Sequence, residues 1–203
     1  DKDLRSALDL HSAAVLVNRN LEEYQVGAIL LDDKGGAQAA TQHLLQSGHQ
    51  AVGFLAGSLA SYSSNQRSKG YRAALEIAGM SYNPAWVRPC SCDVEGGQVA
   101  ARELLTDHPE ITALSCYNDL IAVGTLQACA ELGRRVPQDL AIVGFDDIPM
   151  AALVTPALTT CRVPRRALGE QAMQLLLDRI DGCTEGCTEV VLPTELVIRA
   201  SAP

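Results

Sequence analysis

Short runs of apolar residues alternate along this chain with segments in which apolar residues recur every three to four positions. The short runs predict strands at residues 13–17, 26–31, 51–56, 86–90, 111–116, 140–145, 158–163 and 190–198. The periodic segments predict helices at residues 36–47, 64–78, 95–106, 120–132 and 165–181. Strands that alternate with such helices form right-handed βαβ units, so the chain is predicted to be α/β, with parallel sheets covered by helices on both faces.

The predicted strands are unevenly distributed along the chain. Residues 51–145 carry four strands with the helices between them, which is enough for a doubly wound layer. The segment before His49 offers two or three strands and one helix, which are too few for a layer of its own. If the chain forms two lobes, the second is nearly complete and the first lacks an N-terminal part. This truncation is a hypothesis.

Composition narrows the function classes only a little. The chain has 203 residues, 47% of them hydrophobic, and a formal net charge of −8. This acidic balance argues against the segment itself gripping a nucleic-acid backbone, which requires a basic face. No apolar run approaches the roughly 18–20 residues that span a bilayer, so no membrane contact is expected. Seven cysteines, an odd number, suit reduced thiols and a cytoplasmic protein.

Metal and nucleotide motifs fit the sequence poorly. Neither the Cys90–Cys92 pair nor the Cys183–Cys187 pair has the spacing of a zinc site, so no metal is expected. The sequence contains neither G-x-G-x-x-G nor a P-loop, so no nucleotide cofactor is expected.

Templates for catalysis also fit poorly. The four histidines lie away from the predicted strand ends: His11, His43, His49 and His108. Gly57–Ser58 lacks the strained elbow that exposes a nucleophilic serine. The chain is therefore expected not to be an enzyme. Mg²⁺ held by Asp146 and Asp147 is the alternative in which it is one.

Polar residues follow each strand of the middle segment. They are Ser58, Asp93, Asn118–Asp119 and Asp146–Asp147. Because the carboxyl ends of parallel strands face one side of a sheet, where ligands bind, these groups are predicted to gather at one edge. Their hydroxyl, amide and carboxylate groups suit a ligand rich in hydroxyls or amines.

Each of these residues also has a structural interpretation. Asp93 and Asp119 each precede a predicted helix, and capping its free N–H groups is the favoured role for both. Asn118 has the alternative of a turn or cap, and Arg67, one turn into a helix, that of a solvated charge. Two adjacent carboxylates at a strand end are hard to explain by structure alone, which favours a functional Asp146.

Five sequence motifs carry a resemblance to a known family. They occupy residues 45–57 (L-x-x-G-H-x-x-V-G-F-L-A-G), 67–75 (R-x-x-G-Y), 118–124 (N-D-x-x-A-x-G), 136–147 (V-P-x-D-L-x-I-V-G-F-D-D) and 156–160 (P-x-L-T-T). Their order and spread over essentially the whole chain resemble the lactose/galactose repressor (LacI/GalR) family of transcription regulators.

The resemblance implies a periplasmic-binding-protein-like (type I) fold, with two α/β lobes, three crossovers and a ligand cleft between them. Residues 1–49 and 159–183 would form a partial N-terminal lobe, and residues 50–157 and 187–203 the C-terminal lobe. The helix-turn-helix headpiece that binds DNA in this family would be absent. The implied function is to sense a small sugar-like or nucleoside-like effector and, as a homodimer, to modulate DNA binding by that headpiece.

The resemblance also assigns effector-binding residues. Three carry the main contacts: Arg67 with a rigid fork of donors, Asp146 accepting from ligand hydroxyls, and Asn118 doing both. Neighbouring loops contribute Ser58, Ser63, Asp93 and Val94. The family often has an aromatic near the position of Val94, so a ring contact is absent here or comes from Tyr62, Tyr117 or Phe145.

One further alternative shares the implied fold. A sugar-binding receptor of a transporter would have the same two lobes, but it normally carries a signal peptide and a Lys-rich surface. The free cysteines argue against export.

Overall fold

The computed structural model describes residues 4–6, 8, 13–21, 24, 26–58, 60–183 and 188–203. His11 and Cys187, which entered the arguments above, lie outside these residues. The chain divides into two compact units. The smaller unit comprises residues 1–32 and 164–193, and the larger unit comprises residues 33–163 and 194–203. The predicted α/β class is confirmed, because strands and helices alternate through both units.

The elements follow the predicted order. The strands are β1 (Val15–Val17), β2 (Gly27–Leu31), β3 (Val52–Ala56), β4 (Val87–Pro89), β5 (Ala113–Cys116), β6 (Ala141–Asp146), β7 (Thr159–Arg162), β8 (Glu189–Leu192) and β9 (Glu195–Val197). The helices are α1 (Asp33–Gln46), α2 (Tyr62–Ile77), α3 (Val94–Asp107), α4 (Asp119–Glu131), α5 (Pro149–Leu153) and α6 (Arg165–Ile180), with a 3₁₀ turn at Pro84–Trp86. Within the described part of the chain, none of the helices is long and apolar enough to cross a membrane.

The smaller unit contains a three-stranded sheet in the order β1-β2-β8, in which both pairs are parallel. Helix α6 packs against β1 and β2 through the buried side chain of Leu175. A Cβ added at Gly27 would come within 2.8 Å of that leucine, so the glycine allows the close approach of helix and strand.

The larger unit contains a six-stranded sheet in the order β4-β3-β5-β6-β7-β9. All neighbouring strands are parallel except β7 and β9, which are antiparallel. Strands β3 and β5 are buried along their whole length, which explains why they appear in the sequence as continuous apolar runs. Phe54 stacks on Tyr71 of α2, whereas the next residue, Leu55, joins the core formed with α3 and α4. Successive strand residues point to opposite faces, so helices cover both faces of this sheet.

The structure divides the chain at different residues from those predicted. Helix α1 lies in the larger unit because it packs closely on α2, where a Cβ added at Gly70 would collide with the carbonyl oxygen of Lys34. Strand β7 also lies in the larger unit because it is hydrogen-bonded between β6 and β9. The predicted strand 190–198 is two strands, β8 and β9, which belong to different units on either side of Pro193. Helix α5 was not predicted, because five residues are too few to show a helical period.

Gly124 sets the contact between α3 and α4. A Cβ at this position would collide with the carbonyl oxygen of Val94 and with the backbone nitrogen of Gln98. Because both obstacles are backbone atoms, we expect Gly124→Ala to destabilise the protein by ~1–3 kcal/mol, measured by urea unfolding.

Gly169→Ala is the matched control, since apart from the adjoining backbone of α6 no described atom lies within 4 Å of a Cβ added at this position. Alanine has the higher helix propensity, so this variant is expected to gain up to ~1 kcal/mol. Equal effects of the two substitutions would contradict the predicted close contact.

Candidate functional site

Strand β6 ends in an unusual backbone conformation at the carboxyl edge of the six-stranded sheet. Asp146, its last residue, has φ 104°, and Asp147 has φ 51°. Positive φ is uncommon for residues other than glycine, so surrounding contacts must hold this turn in place. Helices α2, α3 and α4 begin near the same edge, after β3, β4 and β5 respectively.

Arg67 lies beneath this turn and is almost fully buried on α2, with a relative exposure of 3%. Its guanidinium donates three hydrogen bonds. Nε donates to Asp33 Oδ1 at 2.7 Å, Nη1 to the carbonyl oxygen of Tyr117 at 2.6 Å, and Nη2 to Asp146 Oδ1 at 3.2 Å. One side chain therefore connects the start of α1, the residue after β5 and the end of β6.

Two aromatic rings contact the same guanidinium. Its carbon lies 3.7 Å from the centre of the Phe145 ring and 4.5 Å from that of the Tyr117 ring. Both distances suit cation–π attraction, which is stronger where water is excluded. A Cβ at Gly57 would lie within 2.9–3.0 Å of the Tyr117 ring, so a glycine at the end of β3 makes room for that ring.

The charges at the site are compensated within the protein. Burial alone would lower the pKa of Arg67, but Asp146 and Asp33 raise it above its ordinary value, so the guanidinium stays charged. Asp33 is completely buried, whereas the Asp146 side chain is 32% exposed. Asp146 is thus both attached to the buried charge and accessible to a ligand.

A chain of hydroxyl groups extends the site along the start of α2. Ser61 caps the helix, and its Oγ lies 3.0 Å from Ser63 Oγ. Ser63 Oγ in turn lies 2.9 Å from the hydroxyl of Tyr117. Ser58, by contrast, is exposed and accepts a local bond from the Ala60 amide at 3.4 Å. Ser63 is therefore connected through Tyr117 to the arginine cluster, which is Arg67 with its partners Asp33, Tyr117, Phe145 and Asp146. Ser58 makes a local contact within the turn that precedes α2.

The other predicted site residues begin helices. Asn118 Oδ1 accepts from the Ile121 amide at 2.9 Å, which makes Asn118 the N-cap of α4. Its Nδ2 donates to the carbonyl oxygen of Cys92 at 3.4 Å, and Cys92 directly precedes the N-cap residue of α3. Asp93 caps α3 by accepting from the Gly96 amide at 2.7 Å, as its capping interpretation expected. Val94, the first residue of α3, packs against the core. Effector contact by these residues stays a prediction.

The expectation that Asp119 caps α4 is wrong, since Asn118 caps it. Asp119 is fully buried and accepts from Thr160 Oγ1 at 2.6 Å and from the Ile148 amide at 2.8 Å. Sequence position alone placed both residues equally well before the helix. Only the packing of α4 against β6 and β7 decides which side chain turns back to the helix and which turns inward.

Asp147 has both carboxylate oxygens paired with arginines. Oδ1 accepts from Arg199 at 2.7 Å and Oδ2 from Arg162 at 2.8 Å. Burial raises the pKa of Asp147, but the two arginines outweigh it, and the net shift is downward. Two adjacent cations disfavour Mg²⁺ at this carboxylate. Among the residues that the structure describes, no group of three or more His, Cys, Asp or Glu side chains is arranged to hold a metal ion.

Comparison with known proteins assigns the family. A model of the periplasmic binding protein-like domain matches residues 41–202. The chain belongs to this family. It is 37% identical to the ribose operon repressor of Haemophilus influenzae over 179 residues, which cover 88% of this chain and 54% of that protein. The chain thus spans about half the length of the curated relatives it matches.

Solved structures of the family agree with this assignment. A complex of the transcriptional regulator CelR with cellobiose has a TM-score of 0.89 at 36% identity, covering 92% of this chain and 58% of that one. A LacI family regulator from Enterococcus faecium with bound ribose has a TM-score of 0.84 at 28% identity, covering 93% and 69%. The predicted resemblance to LacI-family regulators and the periplasmic-binding-protein-like fold are confirmed.

Sequence reasoning missed Asp33, the most buried partner of Arg67. A signal was present, because Asp32–Asp33 directly follows the buried strand β2, as the other polar groups follow their strands. The sequence predicts that α1 begins three residues later, at Gly36, so Asp33 falls in the predicted loop. Thr160 gave no signal of its own, since a threonine inside a strand is ordinary.

The buried pair of Arg67 and Asp33 predicts a large effect of breaking it. Arg67→Met removes the cation that pairs with the buried Asp33 at 2.7 Å, so we expect a loss of ~3–5 kcal/mol in the free energy of unfolding, measured with urea. Arg166→Met is the control, since Arg166 pairs with Glu170 on the exposed face of α6 and is expected to cost less than ~1 kcal/mol. Similar losses in both variants would contradict the role given to the buried pair.

Proposed function

We propose that this chain is the effector-sensing part of a LacI/GalR-type transcription regulator and that it binds a small, sugar-like metabolite at the carboxyl edge of the six-stranded sheet. In the whole regulator, effector binding would modulate DNA binding by an N-terminal helix-turn-helix headpiece. The regulator would act as a cytoplasmic homodimer and would not be an enzyme. The family assignment and the sugars bound by two structural relatives support this proposal.

The observation that carries the proposal is the state of Asp146. Its carboxylate is held by a buried arginine, lies in a positive-φ turn and remains one-third exposed. An ionised carboxylate accepts hydrogen bonds from two neighbouring hydroxyls of a sugar, and such charge-assisted bonds are stronger than neutral ones. Strained residues cluster at ligand sites, so a requirement that the carboxylate face a ligand would explain the positive φ of Asp146.

Other groups near the edge suit the same ligand class. The hydroxyls of Ser63 and Tyr117 are coupled to the arginine cluster and both donate and accept. The ring of Tyr117 is half-buried and offers an apolar face against which the C–H face of a sugar can pack. Asn118 and Asp93 would contribute through the loops they cap.

The proposed mechanism requires the effector to bind two arrangements of the regulator with different affinities. An effector shifts the regulator between DNA-binding and non-binding arrangements only by the difference in its affinity for them. The accessible carboxylate of Asp146 is the group on which that difference would act, because Arg67 ties it to α1, α2 and the end of β5.

Asp146→Ala tests the proposal. The variant should lose the hydrogen bonds that the carboxylate accepts, at ~1.5–3 kcal/mol each, and therefore bind sugar at least ~10-fold more weakly. Affinity is measured by calorimetry with D-ribose and with cellobiose, after a thermal-shift screen that includes further sugars and nucleosides.

Glu170→Gln removes an equal charge from the exposed face of α6 and should leave the affinity unchanged. Unchanged affinity in Asp146→Ala would overturn the site. A wild-type chain that binds no compound in the screen would overturn the proposed function.

A further inference from the structure

Asp119 is a buried carboxylate that the proposed binding contacts do not use. It is completely buried although it is the first residue of α4. Its two oxygens each accept one hydrogen bond, Oδ1 from Thr160 Oγ1 at 2.6 Å and Oδ2 from the Ile148 amide at 2.8 Å. Because both oxygens act as acceptors, the contacts favour the ionised form.

These two donors flank the turn that carries Asp146. Ile148 follows Asp147 directly, so Asp119 fixes the backbone immediately after the two residues with positive φ. The hydroxyl of Thr160 also accepts from the Asp147 amide at 3.4 Å. That hydroxyl donates its hydrogen to Asp119 and accepts from the turn with one of its two lone pairs. Two successive amides of the turn thus depend on one carboxylate.

The space for this carboxylate is reserved by a glycine. A Cβ added at Gly144 on β6 would collide with Asp119 Oδ1. The glycine has an ordinary strand conformation, so its small size, and not its backbone freedom, is what the position requires. The strand that ends at Asp146 is therefore shaped to receive Asp119 beside it.

We propose that ionised Asp119 is a positioning residue that holds the turn at Asp146 and Asp147 in the conformation that binds the effector, and that its protonation weakens effector binding. The inference rests on the proposed function. When the carboxyl group carries a proton, one of its oxygens becomes a donor. Either the Ile148 amide loses its acceptor, or the Thr160 hydroxyl must turn its hydrogen away from Asp119 and accept from the carboxyl group instead.

The surroundings of Asp119 place this change in an accessible pH range. Burial raises the pKa of Asp119 to about 6, the bonds from Thr160 and Ile148 oppose this, and the charges of Asp146 and Asp147 add to it. The negative charge of Asp147 is balanced by its ion pairs with Arg162 and Arg199.

Among the residues that the structure describes, the thiols of Cys116 on β5 and Cys161 on β7 also interact with Asp119. Burial raises the pKa of both thiols, to about 12 for Cys161, so they remain neutral between pH 5 and pH 8. Neither group contributes a charge change in the range in which Asp119 titrates.

The pH profile of sugar affinity tests the inference. Calorimetry between pH 5 and pH 8 uses whichever of D-ribose and cellobiose binds the wild-type chain more tightly. If only the ionised form binds, affinity falls about tenfold between pH 7.5 and pH 5, with a midpoint near 6. Asp119→Asn should bind at least ~10-fold more weakly at pH 7.5 and lose this pH dependence, because an amide offers one acceptor to two donors. Glu170→Gln is the control and should reproduce the wild-type profile.

Thr160→Val is the second variant, which also decides the question if Asp119→Asn does not fold. It removes a hydrogen bond that lowers the pKa of Asp119, so the midpoint of the affinity loss should move to higher pH. A role in folding alone would not move this midpoint. A wild-type profile that is flat between pH 5 and pH 8, or an unmoved midpoint in Thr160→Val, overturns the inference.

A ligand-free measurement separates this inference from the proposed function. Hydrogen exchange of the Ile148 amide should be faster in Asp119→Ala than in the wild-type chain at pH 7.5, since alanine removes its acceptor. Unchanged exchange would overturn the positioning role whether or not sugar binds. If exchange is faster but the wild-type chain binds no sugar, the proposed function is refuted. The inferred effect of Asp119 on effector binding is then refuted as well, and the contact between Asp119 and the turn stands.

Discussion

The candidate site depends on one constraint, which is that the guanidinium group of Arg67 is buried. Removing such a charge from solvent costs several kcal/mol unless acceptors replace the lost water, and Arg67 meets them at Asp33, Tyr117 and Asp146. These acceptors begin α1, follow β5 and end β6. The need to satisfy one buried cation therefore fixes helix α2 and three chain segments relative to each other, before any ligand is present.

This arrangement makes Arg67 a structural support for the candidate site. Three of the five N–H donors of a guanidinium are engaged with protein acceptors, and two aromatic rings contact the group. Asp146 instead keeps part of its carboxylate in solvent. The buried arginine therefore sets the position of the exposed carboxylate, which is the group proposed to bind the effector.

Four aspartates near this edge have different roles because their surroundings differ. Asp33 is a buried counter-ion, Asp119 accepts from a hydroxyl and an amide, Asp147 is paired with two arginines, and Asp146 is partly exposed. The residue type is the same in each case. Burial and the nearest donors decide whether the carboxylate carries structure or faces solvent, and both depend on neighbours distant in sequence.

The sequence by itself determined the α/β class, the order of the elements and the gathering of polar residues at the strand ends, because periodicity and turn chemistry report the local environment of each segment. Tertiary structure decided which unit contains α1 and β7, that Asn118 and not Asp119 caps α4, and that Asp33 pairs with Arg67. The bonds of Asp33 with Arg67 and of Asp119 with Thr160 join residues that are 34 and 41 positions apart. Such partners are set by strand order and helix packing, which leave no periodic trace in the chain.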